Sequence, residues 1–466
     1  VRKAEEKMPM ELDPIDKKRE IPSNKAAGVV LAGLVVLVVA LAGFSWFAFE
    51  GELPQVRLAG EISRVGQAKQ VSLQASDARS GLRSLKVSLL QGEKSVALLE
   101  KSFPRQGYLS GAGPLAVEEA FEVAGKSLGF KEGEATLVVA VRDYSFSGWF
   151  HGNEIILRQP VVFDSRPPAL SISDSPQYLD AGSAGVVVYR ANEPLDRHGV
   201  VINDLFFPGF PQPQKGEGVY AACIGLPFDT EELAKAMVTA TDLAGNENKA
   251  PFSSRLRKRK ISTDQIAVSD GFLSAKLPEF LVHYPDLAGS PIEQYLRINN
   301  EIRRENNARI SEICAKSQPE RLWDGRFDRW PGSTRARYAD RRTYLYEGKA
   351  VDEQVHLGMD LASLQHAPVQ AANRGQVVFA DYLGIYGNMV ILDHGQGIFS
   401  LYSHLSQIEA SVGDLVEKGG RLGLSGMSGM AGGDHLHFSI LVNGVFVDPI
   451  AWWDESWVRL HMLNYL

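Results

Sequence analysis

Asp434-His435-Leu436-His437-Phe438-Ser439-Ile440-Leu441-Val442-Asn443-Gly444 is the stretch whose reading decides the C-terminal fold. Leu436, Phe438, Ile440 and Val442 alternate with the residues between them, which is the period of a half-buried strand. Asn443-Gly444 then supplies a hairpin turn. Side chains two apart on a strand point to the same side, so His435 and His437 project together, away from Phe438. Two imidazoles side by side suit a metal or acid–base site.

Working outward, the loop Ser425–Gly433 that delivers the chain into this strand is rich in glycine. Such a loop lets a substrate backbone approach closely; the plain alternative is a flexible connection. Upstream lies His356-Leu-Gly-Met-Asp360. Gly358 disfavours a helix there, and in an extended chain the even spacing puts His356 and Asp360 on one face. Two histidines and one carboxylate suit Zn²⁺, and three protein ligands leave a fourth position open for water. Tyr402-Ser403-His404-Leu405 is a third element, with His404 on the polar face of its strand. No HExxH motif is present, so a glutamate base of the usual kind is not supplied. Activating water still needs a base and a donor for the developing oxyanion, and His404 and His435 are the available groups.

HxxxD, then YxHL, then HLHF behind a glycine-rich loop resembles the lysostaphin/LytM-type zinc endopeptidases over residues 340–457. Gly384–Asn388, Met389–Gly395 and Val412–Asp414 with Lys418-Gly419 belong to the same likeness. The resemblance implies an antiparallel β peptidase domain holding one zinc ion through His356, Asp360 and His437. His404 and His435 match the family's catalytic histidines. It also implies hydrolysis of the peptide cross-links of bacterial peptidoglycan, with zinc-bound water attacking and no covalent intermediate. Some relatives have lost ligands and activate other wall hydrolases; this chain keeps all five positions. His366-Ala367-Pro368 departs from the family's usual Gly-Thr-Pro, and His366 reads as a surface residue or a groove residue. His394, beside Asp393 at a strand end, reads as structural. Val412–Gly419 is also similar to lipoyl-carrier hairpins, but no exposed Met-Lys-Met turn follows. Relatives often block the groove with an upstream segment, a role open to the connector described below.

Residues 26–49 carry no charge and are mostly Val, Leu, Ala and Gly. At about 1.5 Å per residue this run spans roughly 36 Å, enough for a hydrocarbon core of about 30 Å. Lys17, Lys18, Arg19 and Lys25 precede it, and Glu50 and Glu52 follow. The positive-inside rule then predicts a cytoplasmic tail over 1–25, a transmembrane helix over 26–49 in the inner membrane, and an extracytoplasmic, periplasmic remainder. A cleaved signal peptide is the competing reading, since Ala40-Leu41-Ala42 resembles a cleavage site, but the long apolar run favours the anchor.

The expected fold class is mainly β and multi-domain. Residues 53–163 and 164–255 read as two immunoglobulin-like sandwiches. Val71–Ala75 and Leu85–Leu89 alternate in period 2, and Leu137–Asp143 recurs in outline as Val238–Asp242, 99 residues between the two aspartates. They serve as spacers or as docking modules for cell-wall or divisome proteins. A helical connector over 256–340 follows, with a capping-box arrangement at Ser290-Pro291-Ile292-Glu293 and helical spacing to about residue 315. Its flanking basic clusters, Arg255–Lys260 and the arginine-rich run Arg321–Arg342, read as solvated surface or as contacts to an anionic polymer or lipid. The peptidase domain occupies 341–457 and holds six of the ten histidines.

Apolar residues make up 44% of the 466 and charged residues 23%, the balance of a folded chain. The net charge of −7 gives no reason to expect nucleic acid. Cys223 and Cys314 form no CxxC pair, which excludes a cysteine zinc site; they read as two buried thiols, with a long-range disulfide as the alternative.

Overall fold

The computed structural model describes residues 25–60, 62–107 and 112–466, so the expected cytoplasmic tail lies outside the described residues except for Lys25. The chain divides into two compact units, 1–164 and 165–466.

In the first unit the helix Lys25–Ala48 contains one stretch, Ala27–Trp46, long and apolar enough to cross a membrane. None of that stretch is buried against protein. A two-layer sandwich follows, made of a three-stranded sheet and a five-stranded sheet. Period-2 alternation explains how they meet. Val71, Leu73 and Ala75 of one sheet face Leu85, Val87, Leu89, Leu137, Val139 and Val141 of the other in one apolar core.

In the second unit two four-stranded sheets form another sandwich, around Val187, Val200, Ile202 and Val238. This module is no detached spacer. Its core runs on into the C-terminal domain, Asn443 Nδ2 donates to the Cys223 carbonyl at 3.0 Å, and a Cβ on Gly225 would lie 3.0 Å from Val442. Both cysteines are buried and free.

The connector is equally integrated. Ser269 caps the helix Asp270–His283, accepting from Phe272 N at 3.2 Å. The capping-box glutamate, Glu293, accepts from Ser290 N at 2.7 Å and starts the helix Pro291–Arg297, which continues through a π turn into Arg303–Ile313. Ile298, Ile302 and Ile310 bury against Met389, Ile391, Phe399 and Leu401 of the C-terminal sheet. A fragment beginning at 341 would therefore expose that apolar face.

The C-terminal domain is built on an eight-stranded sheet. The strand Leu436–Val442 lies at its centre, between Met359–Ala362 and Ile398–Leu405. All seven of its residues are buried, so it is covered on both faces rather than one. His394 sits fully buried near the end of the strand Asn388–Gly395, which pairs with Ile398–Leu405, with Nδ1 2.7 Å from the Arg374 carbonyl and Nε2 2.7 Å from Ser400 Oγ. Burial lowers its pKa to about 4, although the Arg374 carbonyl pulls the other way. The imidazole is thus neutral in the fold and gains a proton on unfolding below its ordinary value of about 6.5. Stability from this group is complete above about pH 6.5 and is lost as pH falls towards 4, by on the order of 3 kcal/mol. Urea midpoints at pH 7 and pH 4.5 are expected to differ more for the native chain than for His394→Asn.

Candidate active site

Strand register assembles the site. Asp360 pairs directly with His437 across Met359–Ala362 and Leu436–Val442, and Ser403 pairs with His437 from the other side, which brings in His404. His356 enters from the segment just before the Asp360 strand. The chain can pass there because residue 358 is glycine: a Cβ would lie 2.5 Å from both His437 Nε2 and Ser439 Oγ.

His356 Nε2, Asp360 Oδ1 and His437 Nδ1 lie 2.9 Å from one another, all in buried residues. Their other hydrogen bonds fix the tautomers. His356 Nδ1 is 2.9 Å from the Arg337 carbonyl, which only accepts, so the ring proton is there. Ser439 Oγ donates to the Leu357 carbonyl at 2.9 Å and therefore accepts from His437 Nε2 at 3.1 Å. Three lone pairs, one of them on a carboxylate, thus converge without a proton among them. That donor set fits a divalent cation, with each imidazole held by an outer hydrogen bond as metal-ligating histidines are.

Arg342 supplies the next layer: Nη2 donates to Asp360 Oδ2 at 2.9 Å and leaves Oδ1 to face the imidazoles. It belongs to the arginine run expected to be solvated, yet its side chain is only 17% exposed. Burial would raise the Asp360 carboxyl, but the imidazoles gathered around it, His356 first and then His435 and His437, hold it well below the usual carboxylate range.

The two remaining histidines stand over the triad. His404 adopts φ +63° beside a register shift between Asn388 and Val390, a bulge that turns its ring into the site. The polar-face alternation expected for this strand is thus broken at the residue that matters, and both faces of Ile398–Leu405 are buried. His404 Nδ1 donates to the Ser428 carbonyl at 2.9 Å, and His435 Nδ1 donates to the Gly433 carbonyl at 2.8 Å. Both Nε2 atoms remain available for proton transfer. The two rings are 4.8 Å apart, and His435 Nε2 is 3.5 Å from Asp360 Oδ1. Burial, then the neighbouring His435 and His437, keep His404 well below the ordinary imidazole range. For His435 burial acts downward, but the hydrogen bond and charge of Asp360 outweigh it and raise the pKa. All five histidine and aspartate positions line one cleft of about 390 Å³, together with Tyr386 and Arg342.

The glycine-rich loop forms one wall and carries the Ser428 carbonyl. Helix Asp270–His283 clamps it: Glu279 Oε1 accepts from Gly429 N at 2.5 Å, and Lys276 donates to the Met427 carbonyl. These contacts were invisible in the sequence, because Pro278 and Gly271 weaken the helical signal and 150 residues separate Glu279 from Gly429. His366 is exposed, with Nδ1 3.0 Å from Ser406 Oγ.

Residues 354–449 match the model of Peptidase family M23. The C-terminal domain is a Peptidase M23 domain of the lysostaphin/LytM type. Among relatives, the chain is 37% identical over 98 residues to the DD-carboxypeptidase/endopeptidase Mpg of Neisseria meningitidis, covering 21% of this chain and 23% of that one. It is 35% identical over 306 residues to an uncharacterized metalloprotease of Haemophilus influenzae, covering 61% of each. It is 37% identical over 95 residues to the murein hydrolase activator EnvC of Escherichia coli, covering 20% of this chain and 23% of that one. The catalytic domain of lysostaphin from Staphylococcus simulans is 30% identical, with a TM-score of 0.22, and the match covers 26% of this chain and 90% of that one. The chain thus spans about a quarter of the length of the Neisseria relative and under two thirds of the Haemophilus one.

Proposed function

We propose that this chain is a membrane-anchored, extracytoplasmic zinc metalloendopeptidase that hydrolyses peptide cross-links of bacterial peptidoglycan. The observation that carries the reading is the convergence of three unprotonated donor atoms at 2.9 Å beneath two imidazoles, His404 and His435, whose Nδ1 atoms are committed to backbone carbonyls so that their Nε2 atoms serve proton transfer. His356, Asp360 and His437 would hold a zinc ion, which when bound would supply Lewis acidity toward a carbonyl and water. Arg342 keeps Asp360 Oδ1 turned to the imidazoles. His404, with its ring proton committed to Ser428, presents an unprotonated Nε2 that takes a proton from water as it attacks. His435, carrying a proton on Nε2, hydrogen-bonds the developing oxyanion and gives that proton to the departing amine; His404 then releases its proton to solvent and His435 takes one up, which closes the cycle. The apolar helix Lys25–Ala48 serves as the anchor, and the sandwiches, read as immunoglobulin-like, as sites for wall or division proteins.

The similarity to an activator of murein hydrolases supports a second reading, a non-catalytic protein using the same groove. The complete five-residue set favours hydrolysis. Incubating the full chain in detergent with purified sacculi is expected to release new peptide termini, to stop doing so with chelator, and to resume with added zinc. No new termini under any of these conditions would favour the activator.

Glu279 tests the loop clamp. Glu279→Ala is expected to lower kcat by roughly tenfold with a smaller change in KM, because the Ser428 carbonyl then holds His404 less firmly. Glu279→Gln retains an accepting oxygen for Gly429 N and is expected to recover most of the rate. Steady-state kinetics on a cross-linked peptide reads both.

A further inference from the structure

A second convergence of ligand atoms lies in the first unit, far along the chain from the peptidase site. Glu50 follows the apolar helix by two residues, Asp77 follows the strand Lys69–Ser76, and Asp143 ends the strand Gly133–Asp143. These residues are 3%, 5% and 0% exposed, and one carboxylate oxygen of each lies within 4.8 Å of the others.

Turn building explains part of the cluster. Asp77 Oδ1 accepts from Arg79 N at 3.1 Å and Gly81 N at 2.6 Å. Asp143 Oδ1 accepts from Ser145 N at 3.0 Å and Asn153 N at 2.7 Å, and its Oδ2 from Asn153 Nδ2 at 2.9 Å. Asp242 of the second sandwich has the same kind of cradle, with Ala244 N at 2.8 Å, Asn246 N at 2.9 Å and Asn246 Nδ2 at 2.9 Å. An aspartate so held is a structural device of these modules and is no sign of a ligand.

Glu50 is not explained that way. Its Oε1 accepts from Ser80 N at 3.1 Å, but its Oε2 is buried with no hydrogen-bond donor among the described residues. Among the described residues the cation that pairs with Oε2 is Arg79, whose Nε is 3.8 Å away, beyond hydrogen-bond reach, and whose guanidinium lies over the Trp46 ring. A buried carboxylate with one unpartnered oxygen, grouped with two more buried carboxylates and with one offset arginine among the described residues, leaves negative charge unbalanced. Burial first, with the charges of Asp77 and Asp143 adding to it, raises the Glu50 carboxyl, and burial raises Asp143 despite its bonds to Asn153 and Ser145. The donors are all carboxylate oxygens, without imidazole or thiolate. That is a hard set, suited to calcium, which takes six to eight oxygens in flexible geometry and completes its shell with water.

We propose that Glu50, Asp77 and Asp143 bind one calcium ion, which ties the segment leaving the apolar helix to two strand ends of the first sandwich. The test is calorimetric titration of CaCl₂ into the full chain in detergent, stripped with chelator and reloaded with one equivalent of zinc. The native chain is expected to bind one calcium, Glu50→Gln to bind at least tenfold more weakly, and His356→Ala to bind like the native chain. Thermal unfolding gives a second readout with opposite signs. In chelator, Glu50→Gln is expected to melt no lower than the native chain, since it removes an unbalanced charge; added calcium raises the native transition and leaves that of the variant unchanged. The proposal is overturned by absence of saturable binding, by unchanged binding in Glu50→Gln, or by loss of binding in His356→Ala, which would place the ion at the peptidase site. A variant that melts lower than native in chelator also overturns it, because Glu50 would then act only through Ser80.

Discussion

His404→Asn is expected to lower kcat on wall peptides by about 10²–10⁴-fold while the chain keeps its full complement of zinc. His404 is hydrogen-bonded to none of the three convergent donor atoms among the described residues; its Nδ1 donates to the Ser428 carbonyl. Removing the ring therefore removes a proton acceptor and leaves the ligand set whole. Asparagine is the better probe than alanine, since residue 404 holds φ +63° and asparagine tolerates that region more readily. Zinc content by mass spectrometry and kcat on a cross-linked peptide separate the two effects. A variant that loses zinc would mean that His404 supports the triad.

Asp360→Asn is expected to do the reverse: zinc falls to near zero, activity disappears with it, and the domain is destabilised. Two interactions fail together. The ligand set loses its only anionic donor, and Arg342, whose side chain is 17% exposed, loses the carboxylate 2.9 Å from its Nη2. Stranding one partner of a buried ion pair costs about 3–5 kcal/mol. Adding Arg342→Met to Asp360→Asn is expected to recover much of the thermal stability and none of the zinc. Calorimetry and metal analysis on the single and double variants check this. Recovery of zinc in the double variant would contradict the assigned role of Asp360.

Much of the site was legible because strand periodicity and metal chemistry are both local. Even spacing put His356 with Asp360 and His435 with His437, and the sheet closes them into one centre. Period 2 likewise exposed the sandwich strands, and the run without charges exposed the apolar helix. What was hidden depends on contacts between distant segments. Alternation along Leu436–Val442 suggested one buried face, yet strands on both sides and packing on both faces bury it entirely. The bulge at His404 leaves little composition signal, because no glycine marks it and the positive φ falls on the histidine itself. Arg342 sits in a basic run that looks solvated, and only its pairing across 18 residues with Asp360 makes it part of the site. The second sandwich read as a spacer because nothing in its sequence announces that Gly225 abuts Val442.

The most direct measurement is the fate of cross-links in purified sacculi, followed as the ratio of dimeric to monomeric wall peptides by mass spectrometry. Zinc-loaded full chain is expected to convert dimers to monomers by itself, and His404→Asn, carrying the same zinc, is expected to leave them intact. Equal dimer levels with both proteins, with breakdown appearing only when a separate wall hydrolase is added, would contradict the account and assign this domain to activation.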